Sequence, residues 1–114
     1  VGARLLIAAA RRTPFGVGHV VVFVRGDKLV AHRLILALGR GPDARFVEKG
    51  DWNPAAGLVR RRDIRGVVTG YIPAGPADAA PIAVGRSRAA AWASLWRAVV
   101  ARILGRHRLE DTRA

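Results

Sequence analysis

The chain is expected to fold as a mainly β body followed by one amphipathic helix. Short runs of β-branched and aromatic residues, closed by Gly or Pro, fill residues 2–72. Two of these runs are joined by Gly26-Asp27, a connection suited to a tight hairpin. One stretch alone, 87–106, carries apolar residues at helical spacing.

Taken in order, the apolar run 4–10 reads as a short first strand, and Thr13-Pro14-Phe15-Gly16-Val17-Gly18 as a turn. HVVVFVR at 19–25 is the strongest strand signal, because valine and phenylalanine pack well on a pleated surface. Gly26 supplies the positive φ that a two-residue hairpin needs, and 29–38 (LVAHRLILAL) is the return strand. A turn at 39–43, a strand at 44–49 and a loop at 50–57 follow. Residues 58–62 pair briefly, and 64–72 (IRGVVTGYI) completes the set of strands. The organisation is then a β domain at 1–72, a Pro/Ala/Gly linker at 73–85, a helical segment at 86–106 and a polar, frayed tail at 107–114. Within the helix Trp92, Leu95, Trp96, Val99, Val100 and Ile103 share one face, which is expected to pack on the β body or to lie in a membrane interface.

A chain of 114 residues, half of them hydrophobic, supports one modest core. There is no cysteine, which excludes disulfides and thiolate metal sites. No cofactor and no metal are expected. No methionine occurs, and the chain opens abruptly at Val1, which suggests an N-terminally incomplete frame, with a trimmed chain or an unconventional start codon as the alternatives. The net charge of +12 favours anionic partners, nucleic acid or a lipid surface. Arg60-Arg61-Arg62 with Arg65 is the densest basic cluster. No nucleic-acid recognition motif accompanies it, so nucleic acid is not favoured as a partner. No stretch is long and uncharged enough to span a membrane as a helix.

Two segments could carry chemistry. His32 lies on an apolar strand where Val30, His32, Leu34 and Leu36 are expected to share a face. Asp51 lies in the turn Lys49-Gly50-Asp51-Trp52-Asn53-Pro54. An imidazole base and an orienting carboxylate from different elements are two members of a hydrolytic triad. The ordinary alternatives are a core histidine bonded to a carbonyl, and an Asp that caps its own turn.

The ordered pieces GHVVVFVRGDKLVAHRL, FVEKGDWNP and DIRGVVTGYI resemble the type I signal peptidase family, in its branch with a Ser–His arrangement. The likeness covers about residues 4–68. It implies a signal-peptidase/LexA-like coiled β barrel. It also implies serine endopeptidase chemistry, with His32 as general base, Asp51 as its supporting acid, and Arg33, Lys49 and Asn53 shaping the site. LexA-like repressors share that fold but typically carry lysine where His32 stands. The family's serine would precede the first strand, hence lie upstream of Val1; Ser87 and Ser94 match nothing in the pattern. A second acid often follows the Gly-Asp aspartate by six residues, where this chain has Gly57, and Asp63 is the nearest replacement.

The expected function is therefore processing of an exported or maturing precursor, bound as an extended strand, by a protein that is membrane-associated or cytoplasmic. A non-catalytic peptide-binding relative and a basic nucleic-acid-binding β domain are the alternatives. The protease interpretation expects the His32 ring and the Asp51 carboxylate on one side of the barrel, within about 12 Å.

Overall fold

The computed structural model describes residues 4–51, 55–75 and 78–113, the stretch 105–113 by backbone alone. Seven strands form one antiparallel sheet: β1 (Arg4–Ala9), β2 (Val20–Arg25), β3 (Lys28–Leu38), β4 (Arg45–Lys49), β5 (Ala56–Arg60), β6 (Ile64–Ile72) and β7 (Ile82–Ala83). Helix α1 (Arg88–Arg113) follows. The strand order is β1-β6-β2-β3-β4-β5, with β7 also paired to β6. Among the described residues β1 and β5 do not pair with each other, so the sheet is not closed into a barrel. The mainly β architecture with one C-terminal helix is as the sequence predicts.

The β2–β3 hairpin forms as expected, with Arg25 level with Lys28 and Gly26 at φ 63°. The buried cluster lies on one face of the sheet. It joins Val21 and Phe23 of β2, Leu34 of β3, Phe46 of β4, Val59 of β5 and Ile64 of β6. Phe15 tilts against Phe46 with ring centroids 6.1 Å apart, and the Arg61 guanidinium lies over both rings. That stacking places the charged head of the basic cluster on aromatic faces.

The expected alternation in β3 breaks at one place. Leu34 pairs with Glu48 and Leu36 with Val47, so Ile35 is an extra residue in the ladder. Leu34 and Ile35 are both buried, whereas Leu36 is turned out and 40% exposed. A bulge of this kind shifts every later side chain to the other face. Val30, His32 and Leu34 keep the common face; Leu36 does not.

Two elements differ from expectation near the C-terminus. The 73–85 linker contains β7, which extends the sheet beside Gly70 and Tyr71. The helix continues to Arg113, through the segment expected to fray. Its Arg, Leu and Glu residues are good helix formers. The N-terminus of α1 is capped by Ser87, whose hydroxyl accepts from the Ala90 amide at 3.1 Å. Ser87 N–H donates to Gly18 O, and Gly18 N–H to Leu34 O. Gly18 has φ +98°, and a Cβ there would press on the Ser87 backbone. The helix is thus anchored on the loop that enters β2.

The helix packs on β3 through its small-residue face. Ala91 and Ser94 are buried, while Trp92 is 62% and Trp96 53% exposed. The expectation that the tryptophan stripe covers the β body is overturned. Small residues let a helix approach a sheet closely, and Ser94 lies within reach of Lys49.

Candidate active site

His32 is placed by the hairpin. It stands level with Val21 on the core face of β3 and is part-buried. The Phe23 ring meets it edge-on, centroids 6.2 Å apart. Its Nδ1 bonds to Glu48 Oε2, and Glu48 is only 1% exposed. Glu48 sits opposite Leu34, so its carboxylate reaches His32 diagonally across the β3–β4 pair. Arg25 of β2 completes the group. Its Nη1 donates to Glu48 Oε1 at 2.8 Å and its Nη2 to Leu58 O at 3.1 Å. The carboxylate is buried, but both oxygens have partners, as a buried charge requires. Among the described residues none bonds to Nε2 of His32. Toward the described residues the ring thus commits Nδ1 and leaves Nε2 without a partner.

Asp51 belongs to a different group. Successive residues of a strand point to opposite faces, so Arg33 leaves β3 away from His32. It is level with Val20 and Lys49. Arg33 grips Asp51 with two parallel bonds, Nε to Oδ1 and Nη2 to Oδ2, each 3.0 Å. Its Nη1 donates to Gly18 O at 2.8 Å. The Arg33 hydrogen bonds hold the Asp51 carboxyl below the usual carboxylate range, against a partial burial that acts the other way. Arg97 of α1 donates to the Asp51 carbonyl at 2.9 Å. Lys49, 1% exposed, reaches Gly50 O at 3.1 Å and Ser94 Oγ at 3.5 Å. Burial lowers its ammonium below the ordinary lysine value, with Arg97 adding to the effect and Asp51 opposing it. Arg33, Lys49, Asp51, Ser94 and Arg97 together fasten the helix to the turn after β4.

His32 and Arg33 thus leave β3 on opposite faces, and among the described residues no hydrogen bond or ion pair joins His32 to Asp51, which Arg33 holds. The alternation that separates His32 from Arg33 is the cause. Asp63 is exposed on the turn before β6, where it lines a concavity with Arg25, Arg45 and Arg60. Among the described residues no hydrogen bond or ion pair joins Asp63 to His32. Asn53 lies outside the described residues. His19 is structural: Gly16 N–H donates to its Nδ1 at 3.0 Å, and burial lowers its pKa.

The residue missed in the sequence is Glu48, and with it Arg25. A signal was present, because Glu48 alternates with Phe46 and so must share its apolar face. An acid at such a position needs a partner, and His32 is the nearest base on the neighbouring strand.

Comparison with known proteins supports a family likeness over part of the chain. The signal peptidase complex catalytic subunit SEC11 of Chaetomium globosum is 38% identical over 68 residues, covering 50% of this chain and 40% of that protein. The corresponding subunit of Sclerotinia sclerotiorum is 40% identical and that of Pyricularia oryzae 37% identical, each over 68 residues. The chain thus spans about 40% of the length of the curated relatives it matches. No family model and no solved structure matches it. Over that segment the chain resembles the catalytic subunits of the signal peptidase complex.

Proposed function

We propose that these residues form the core of a signal-peptidase-like serine endopeptidase domain that processes an exported or maturing precursor. The observation that carries this is the state of His32: Nδ1 is held by a buried carboxylate on a part-exposed ring, and no described residue bonds to Nε2. That is the arrangement of a general base.

Ser87 caps α1 and Ser94 is buried on the underside of the helix beside Lys49, and neither is bonded to His32 among the described residues. We assign the role of nucleophile to a serine upstream of Val1. Its Oγ would bond to the scissile carbonyl carbon while His32 Nε2 takes the hydroxyl proton. The same proton passes to the leaving amine as the C–N bond breaks. Water, deprotonated at Nε2, then releases the acid and restores the serine. The precursor would add as an extended strand at an open edge of the sheet. Arg33, Lys49 and Asp51 would act indirectly, by fixing the turn after β4.

The same domain would rest on an anionic membrane surface through α1. Trp92 and Trp96 meet edge to face and are exposed, as are Val99, Val100, Ile103 and Leu104. Arg97 and Arg102 flank them on a chain of charge +12. Among the described residues no helix is long and apolar enough to cross a membrane.

The test is to express the complete reading frame and incubate it with precursor peptides that carry small residues before the cleavage point. Mass spectrometry should find one cleavage, abolished by His32→Ala. Binding of the peptides without cleavage, equal in both proteins, would instead indicate a non-catalytic relative. Tight, salt-dependent binding of RNA or DNA with no peptide bound would overturn the proposal.

A further inference from the structure

We propose that Glu48 is the positioning acid of His32, in the place that the Asp51 turn was expected to fill. The inference rests on the protease proposal for its chemistry, but its geometry stands separately.

Three observations carry it. The Glu48 carboxylate is the only one among the described residues bonded to His32, and it takes Nδ1. It is buried and made rigid from the other side by Arg25, which donates to Oε1 at 2.8 Å. The Arg25 guanidinium is itself held over the Phe23 ring, 4.9 Å from its centroid. Finally, the β5 residue level with Glu48 is Gly57. A Cβ at Gly57 would collide with Glu48 Oε1 and crowd both Arg25 Nη atoms. The position where an acid was expected is vacant of side chain, and the Glu48 carboxylate uses that space.

A carboxylate on Nδ1 has a defined effect. It accepts the Nδ1 proton and so places the lone pair of the neutral ring on Nε2. It also fixes the ring plane toward the part-exposed side. Glu48 would touch neither substrate nor nucleophile; it would act through His32. Asp51, engaged by Arg33 on the other face, has no such route.

The test uses the full reading frame and two readouts. Imidazole ¹⁵N shifts should show neutral His32 as the Nδ1–H tautomer in the native protein, and predominantly as Nε2–H in Glu48→Leu. In the peptidase assay, Glu48→Gln should lower kcat by about 10²–10⁴-fold with KM little changed, as expected for loss of a tautomer-setting acid. Glu48→Asp should restore part of that loss, and Asp51→Asn should cost kcat less than Glu48→Gln. An Nε2–H tautomer in the native protein, or a kcat more sensitive to Asp51 than to Glu48, would overturn the assignment. If the native protein cleaves nothing, the protease proposal fails, and the tautomer comparison still decides whether Glu48 positions His32.

Discussion

Gly57 and Glu48 face each other across the β4–β5 ladder, and the buried carboxylate occupies the room that a side chain at Gly57 would need. Gly57→Ala should therefore destabilise the protein by about 1–3 kcal/mol, the usual cost of overpacking. Glu48 and Arg25 must shift together, so the Arg25–Glu48 pair weakens as well. Urea denaturation at constant m-value would measure the change. An unaltered midpoint would mean that the carboxylate has space to spare.

Lys49 makes the opposite prediction. It is buried beneath α1, its hydrogen bond to Ser94 is long, and burial disfavours its charge. Replacing a poorly compensated buried charge with an apolar group of similar length is often neutral or stabilising. Lys49→Met should leave thermal stability unchanged or raise it. A loss greater than about 1 kcal/mol would show that the two hydrogen bonds outweigh the desolvation.

The acid side of the pH dependence of stability follows from two depressed groups. Asp51 is held below the ordinary carboxylate range, first by its hydrogen bonds from Arg33. As pH falls, the unfolded chain takes up this proton before the folded one. The contribution is thus present above about pH 4 and is lost through the acid range. His19 is lowered by burial, so the unfolded chain also protonates it first, below about pH 6.5. Stability should fall with pH there too, be level through neutral pH, and rise in the alkaline range, where the folded chain releases the Lys49 proton before the unfolded one. Asp51→Asn should flatten the acid limb and His19→Asn the limb near pH 6, in urea titrations across pH. Superimposable profiles would contradict both assignments.

The outward face of α1 can be read by fluorescence. Trp92 and Trp96 are more than half exposed, so acrylamide should quench their emission in free protein. Vesicles containing anionic lipid should shift that emission to the blue and protect it, with the effect reduced by salt. Neutral vesicles should do neither. A Trp92→Ala, Trp96→Ala double variant that binds anionic vesicles as well as the native protein would remove the helix from that role.

The hairpin and the strand limits of β6 were legible because valine-rich runs and Gly26 state their local preference directly. The core face of β3 was legible only as far as Leu34. The extra Ile35 depends on pairing with β4, which no periodicity within β3 records. The helix was legible in position but not in orientation. Large apolar residues are usually buried, and that rule pointed the tryptophans inward. Here the small residues Ala91 and Ser94 are the buried ones instead. In the candidate site, His32 was identifiable from its strand, but its acid was sought in the conspicuous turn at Asp51. Glu48 was overlooked because its partner is fixed by the register between two strands, which emerges only on folding.

The most direct test of the site geometry is a pair of double-mutant cycles on folding stability. His32→Ala combined with Glu48→Gln should give a coupling energy of about 1 kcal/mol or more, because the two side chains are bonded. His32→Ala combined with Asp51→Asn should be additive within about 0.3–0.5 kcal/mol, since they share no partner. Strong coupling of His32 to Asp51, with none to Glu48, would contradict the arrangement described.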